Sequence, residues 1–279
     1  MKVLAWVALL LATFACNRRS TSTTQASPNP EQSAVLGAGP GEFFPSLCMG
    51  QEDLRVWRRV DLTAVTPDMH EKSRGSHCDW SVVMRQGVPI VSAKQHDGHP
   101  LPSGFSPLDN PGRPSAVQQR DAGVLLGFDR GEWGGSLRWY SRKGALERRL
   151  LDDNVVAILP AFEQFLVLTY FGHGSRPRVV EVREVAGRFE LGRTIDLPAK
   201  PSAGAIDSQG DVLIVTGKGL FKVTRHLQVE ALLETNWWMF HPGALALGRD
   251  STAYVGMRGA VVEVQLSTRP PKQTWLYPF

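Results

Sequence analysis

Ala205-Ile206-Asp207-Ser208-Gln209-Gly210-Asp211-Val212-Leu213-Ile214-Val215-Thr216, followed by Gly219-Leu220-Phe221-Lys222-Val223, is the stretch whose reading decides the fold. Two short apolar runs flank Asp207–Asp211, whose Asp, Ser and Gly residues favour a turn. A second turn leads to Leu220-Phe221-Lys222-Val223, where apolar and polar residues alternate as on a half-buried strand. The unit therefore reads as strand, turn, strand, turn, strand. A more polar segment, Gln228 to Leu233, supplies a fourth strand.

Working outward, the same apolar run recurs. It appears as Ser81-Val82-Val83-Met84, Val124 to Phe128, Phe165 to Thr169, Val212 to Thr216 and Ala253 to Met257. Counted from positions 82, 124, 165, 212 and 253, the spacings are 42, 41, 47 and 41 residues. Third strands follow at Leu137-Arg138-Trp139-Tyr140, Val179 to Val182, Leu220 to Val223 and Val261 to Val264. Fourth strands follow at Leu146 to Leu151, Phe189 to Leu197, Gln228 to Leu233 and Gln273 to Tyr277. A period of about 40–50 residues per four-stranded unit is that of a β-propeller blade. A single blade cannot cover both faces of its sheet, so blades stack around an axis and close a ring. The expectation is an all-β propeller of about five blades, with length for a sixth. Four units are clear, and a poorer one lies around residues 48 to 101. The competing architecture is a two-sheet sandwich with accidental spacing.

The unit around Ala205 to Val223 resembles the NHL, WD-repeat and lactonase-like propellers. The Trp-Asp dipeptide and Gly-His signature of WD-repeat blades do not accompany it. The resemblance covers residues 116 to 278 well and 48 to 101 weakly, and it implies architecture rather than activity.

Upstream of the repeats the chain changes character. Met1-Lys2 is a short positive start, and Val3 to Ala15 is almost wholly apolar. That run is too short to span a bilayer, for which about 20 residues are needed, and has the dimensions of a signal-peptide core. Ala15 before Cys16 resembles the bacterial lipobox, although Thr13 and Phe14 depart from its usual pattern. The resemblance implies lipidation of Cys16, with residues 1–16 as signal and lipid-anchor site. An ordinary secretory signal with a chance cysteine is the alternative. Asn17 resembles the residue of lipoproteins sorted to the outer membrane, facing the periplasm or the surface. Residues 17–41 are too poor in apolar groups to offset their ordering entropy, so they read as a flexible linker to a folded domain at 42–279. With Cys16 committed to lipid, Cys48 and Cys78 remain and suit a disulfide in an exported protein. That bridge would close a loop of about 30 residues and contribute about 3 kcal/mol. Two unpaired thiols are the other possibility.

Basic residues exceed acidic ones only by 31 to 27, and they are scattered, as with Arg183 between Glu181 and Glu184. This argues against a nucleic-acid partner. Arg55, Arg58 and Arg59 read as a solvated strand edge.

In a propeller, ligands meet the loops around the central channel. The loop Asp129-Arg130-Gly131-Glu132-Trp133-Gly134-Gly135 is longer than its counterparts, and Tyr170 to Arg176 follows it in the next unit. Asp129, Arg130, Glu132, Trp133, His173 and Arg176 are the candidate binding residues. Glu132, His173 and His241 are weak catalytic candidates, since loops from different blades could bring them to one axis. Long hairpins with glycine at the tip are the bland account. Trp237-Trp238-Met239-Phe240 reads as packing between blades more than as an anchor for a partner. His96-Asp97-Gly98-His99 lacks a third ligand and any HExxH or CxxC companion, so no metal site is assigned. His70 and His77 have no better claim. No nucleophile elbow, P-loop or dinucleotide fingerprint is present. Thr216-Gly217-Lys218-Gly219 lies between two strands, without the helix N-terminus that a phosphate loop needs. No cofactor is expected. The residues favour an envelope-anchored binding or scaffold module for a protein, peptide or glycan. A metal-dependent lyase or lactonase-like enzyme is the alternative.

Overall fold

The computed structural model describes residues 51–61, 78–94, 98–173 and 175–278. Cys16, the tether at 17–41, Cys48, His70, His77, His96 and Asp97 lie outside the described residues. The described residues belong to one compact unit.

The described residues form five antiparallel sheets, the blades of a β-propeller. Three are built from four consecutive strands. They are β5 to β8 (Ala116–Arg120, Gly123–Asp129, Gly135–Tyr140, Leu146–Leu151), β9 to β12 (Asn154–Ala161, Gln164–Phe171, Ser175–Val185, Arg188–Asp196) and β13 to β16 (Pro201–Ile206, Val212–Thr216, Gly219–Val223, Val229–Glu234). We number these blades 2, 3 and 4. Their separate sheets exclude the two-sheet sandwich.

The order of burial within a blade explains the sequence pattern. The second strand is covered on both faces by neighbouring blades, so it carries an unbroken apolar run: all five residues of β14 are buried, as are Phe165 to Tyr170 of β10. The fourth strand is the outer edge and faces solvent, so β8 is LERRLL and β12 is largely exposed. Long helices are absent among the described residues. The only helical pieces there are 3-10 turns at Leu54–Val56, Gly131–Trp133 and Trp238–Phe240.

Blades 1 and 5 depart from this plan. Blade 5 has β17 to β20 (Ala244–Leu247, Thr252–Gly256, Val261–Gln265, Lys272–Tyr277), with β2 (Arg58–Asp61) added on its outer edge. The register places Val60 opposite Trp275. Blade 1 pairs β3 (Trp80–Arg85) with β4 (Val88–Ala93) and takes its third strand from β1 (Gln51–Asp53). The segment 51–61 thus bridges the first and last blades. Trp57, nearly fully buried between β1 and β2, meets Trp80 edge-on at 4.9 Å. The poorer unit foreseen around 48 to 101 is poorer because part of its strand complement is spent on blade 5. Arg58 and Arg59 do sit on an edge strand, and Arg59 bonds Glu263 at 2.8 Å.

The seams are tight where inner strands meet. Trp80 N–H donates to the Met257 carbonyl at 3.1 Å, closing blade 1 on blade 5. A Cβ on Gly127 would lie 2.4 Å from Val155 Cγ1, so only glycine lets blade 2 approach blade 3 this closely. Trp237 and Phe240 are buried in a core shared by blades 4 and 5, and Phe240 packs on Trp275 at 4.8 Å. This part of the aromatic cluster is packing, as expected, while Trp238 turns outward. The other face of blade 2 is covered differently. Leu101 and Phe105, in the connection leading to β5, pack on Val124, Leu126, Phe128 and Tyr140.

Cys78 is disulfide-bonded. Its expected partner, Cys48, lies outside the described residues, and that pairing stays an expectation.

Candidate functional site

The inner strands leave a central channel enclosing about 1230 Å³. Its wall includes small and hydroxyl-bearing residues, among them Ser81, Ser92, Ser115, Ser202 and Gly204, beside aliphatic ones such as Val156, Ile158 and Leu159. Bulkier side chains at the small positions would fill the axis. At one mouth, where second strands end and inner strands begin, charged side chains converge from four blades and a tyrosine from the fifth.

Blade 1 supplies Asp79 and Lys94. Lys94 follows β4, lines the channel, and donates from Nζ to the Gly243 carbonyl at 3.0 Å. Burial pushes its pKa below the ordinary lysine value, while Asp79 and Asp129 pull the other way. No carboxylate among the described residues forms an ion pair with it. Blade 2 supplies Asp129, the last residue of β6. It accepts from the Tyr170 hydroxyl at 2.8 Å and from the Gly131 N–H at 2.9 Å. Blade 3 supplies Tyr170, whose hydroxyl is pushed far above its ordinary pKa by burial and by Asp129. It therefore acts as a donor and not as a base. Blade 4 supplies Lys200, whose ammonium stands 3.9 Å from the centre of the Tyr170 ring. Blade 5 supplies His241 and Arg258, the latter bonded to Asp79 Oδ1 at 3.1 Å. Desolvation and then the Arg258 charge hold His241 below the ordinary histidine value.

The foreseen loop of blade 2 lies on this mouth. Buried Asn154 fixes it, accepting from Arg130 N–H at 2.9 Å and donating to the Gly131 carbonyl at 2.7 Å. Trp133 is 84% exposed at its tip. Arg130 is turned aside to the Pro111 carbonyl at 3.2 Å. Arg176 lies over the Phe171 ring at 5.8 Å. Glu132 and His173 face one another at 3.9 Å with both side chains largely exposed. His241 belongs instead to the Asp79–Arg258 sector. The three catalytic candidates are therefore split between a rim pair and a separate sector. Among the described residues, no group of three or more His, Cys, Asp or Glu could hold a metal ion. His99 lines the channel, without the company a metal would need.

Lys94, Tyr170, Lys200 and the Asp79–Arg258 pair were not foreseen. Each sits at the boundary of an inner or second strand, and that shared position is the signal they carry. Thr216 to Gly219 is a tight hairpin, with Thr216 paired to Gly219, as expected of a turn between two strands.

No family model matches the chain, and no curated protein matches it. Solved structures do. A streptogramin B lyase aligns at 11% identity and a TM-score of 0.39, over 82% of this chain and 61% of that one. A Bacteroides caccae protein of unknown function aligns at 14% identity and 0.38, over 69% and 67%. A Lactobacillus plantarum protein aligns at 12% identity and 0.42, over 60% and 55%. The chain spans about three fifths of the lyase's length.

Proposed function

We propose that this propeller is an envelope-anchored binding module that takes its partner at the charged mouth of the channel. The observation that carries the reading is the convergence there of Lys94, Asp129, Lys200, His241 and the Asp79–Arg258 pair. A closed propeller needs no charge at its axis, and partly desolvating the Lys94 ammonium costs free energy that folding alone would avoid. The exposed Trp133 and Trp238 extend the surface outward, and exposed aromatics of this kind anchor partners. The Cys16 anchor and the polar tether at 17–41 would give the domain reach from a membrane.

A photoreactive amino acid placed at Trp133 should cross-link a partner in intact cells. The same residue at Arg142, beside the cavity at the opposite end of blade 2, should not. Adducts from Arg142 alone, or from neither position, would overturn the reading. Anchoring has its own check. Cells fed an alkyne-bearing palmitate should label the protein, and Cys16→Ser should abolish the label. Unchanged labelling would remove the anchor.

A further inference from the structure

We infer that the ligand of this mouth is a saccharide carrying a carboxylate, such as a uronic acid unit, with its carboxylate held by Lys94 on the channel wall. The inference rests on the mouth being the binding site, and it adds the chemistry of the occupant.

Charge sets the first constraint. Lys94, Lys200 and Arg258 face Asp79 and Asp129, which leaves one positive charge when the histidines are neutral. Arg130 and Arg176 against Glu132 add one more farther out on the rim. A monoanion complements this field, whereas a phosphate dianion would sit against two carboxylates. Lys94 uses one N–H on the Gly243 carbonyl, so two donors remain for a ligand. Arg258 donates from Nε to Asp79 Oδ1 at 3.1 Å, so its guanidinium is already oriented by a carboxylate and its charge is partly offset.

The surroundings set the second constraint. Asp129 receives two hydrogen bonds and keeps acceptor capacity toward the channel, which suits a ligand hydroxyl. Ser115 already donates to the Val155 carbonyl and can only accept, while the hydroxyls of Ser81, Ser92 and Ser202 can both donate and accept, as sugar hydroxyls require. Trp133 and Trp238 are 84% and 64% exposed. Indole rings exposed to this degree can stack on the C–H side of a sugar ring. An aliphatic carboxylate would use Lys94 alone and leave the wall hydroxyls and the tryptophans without a role.

The test titrates the full-length protein with tetramers of galacturonate, glucuronate and mannuronate, their methyl esters, and hexose 1-phosphates. Tryptophan fluorescence follows binding. At least one uronate should bind at least tenfold more tightly than its ester and than any hexose phosphate. Lys94→Met should abolish that preference, and Arg142→Ser should keep it. Equal affinity for acid and ester, preference for the phosphate, or no binding of any uronate would overturn the proposal. If cross-links from Trp133 persist while uronates fail, the ligand class falls and the mouth stands. If the cross-links fail as well, both fall.

Discussion

Blades 2 to 4 and the pair formed by blades 1 and 5 solve the same packing problem in different ways. Each middle blade is a meander whose four strands follow one another within about 40 residues. The first and last blades borrow from a distant segment, with β1 completing one and β2 extending the other. The middle blades need only local turns. Blade 1 closes β1 on β4 within one blade's length, but β2 must close a loop across nearly the whole domain before it pairs with β20. The ring is held shut at that seam by residues 51–61, and this is where its stability is most exposed.

Removing residues 51–61 tests the contrast most severely. A chain starting at residue 62 should lose cooperative unfolding and near-ultraviolet dichroism, while one starting at residue 44 keeps both. Cooperative melting of the shorter chain would make the borrowed strands dispensable. Trp57→Ala asks the same with one side chain. It should cost about 3–5 kcal/mol in denaturant titration, and a loss below about 1 kcal/mol would contradict a seam centred on Trp57 and Trp80. Within the middle blades, Gly127→Ala forces a Cβ against Val155 and should cost about 1–3 kcal/mol. The same change at Gly131, in open space but at φ +61°, should cost about 1 kcal/mol. Equal costs would mean that the blade 2–blade 3 contact is not as close as described.

A pH measurement sharpens the picture within blade 3. Glu181 is buried, and burial alone would raise its pKa. The Arg193 N–H at 2.8 Å and the Arg183 guanidinium at 2.5 Å outweigh that and hold it below the ordinary 4.5. A depressed carboxylate pKa contributes stability that is fully present above 4.5 and is lost as pH falls through that value toward the folded one. Glu181→Gln should therefore lower stability by about 1–2 kcal/mol at pH 7, with the difference from the parent shrinking in acid. A difference that does not change with pH would contradict the pairing.

The middle blades were legible because their strands are adjacent in sequence. Val212 to Thr216 is apolar without alternation because neighbours cover both its faces, and it is followed at once by a turn. The parts that escaped are those assembled over distance. β1 and β2 are three and four residues long, have no hairpin of their own, and carry Arg58 and Arg59 like any solvated edge. The site divides in the same way. Asp129 and Trp133 stood out because their loop is longer than its counterparts. Lys94, Lys200 and Arg258 look like ordinary surface cations in sequence, and only closing the ring brings them together. His241 shared a mouth with Glu132 and His173 without sharing a point, because a propeller axis gathers loops and does not by itself aim side chains.

If the charged mouth is kept for a partner rather than for the fold, Lys94 is where the two differ. Its lowered pKa means that the unfolded chain binds the proton more readily, so at neutral pH the half-buried ammonium opposes folding and its cost fades as pH rises toward the ordinary lysine value. The most direct test is the melting midpoint of Lys94→Met at pH 7. Removing a charge kept for function should raise the midpoint by about 2 °C. A midpoint several degrees lower would make Lys94 a structural residue and contradict the account.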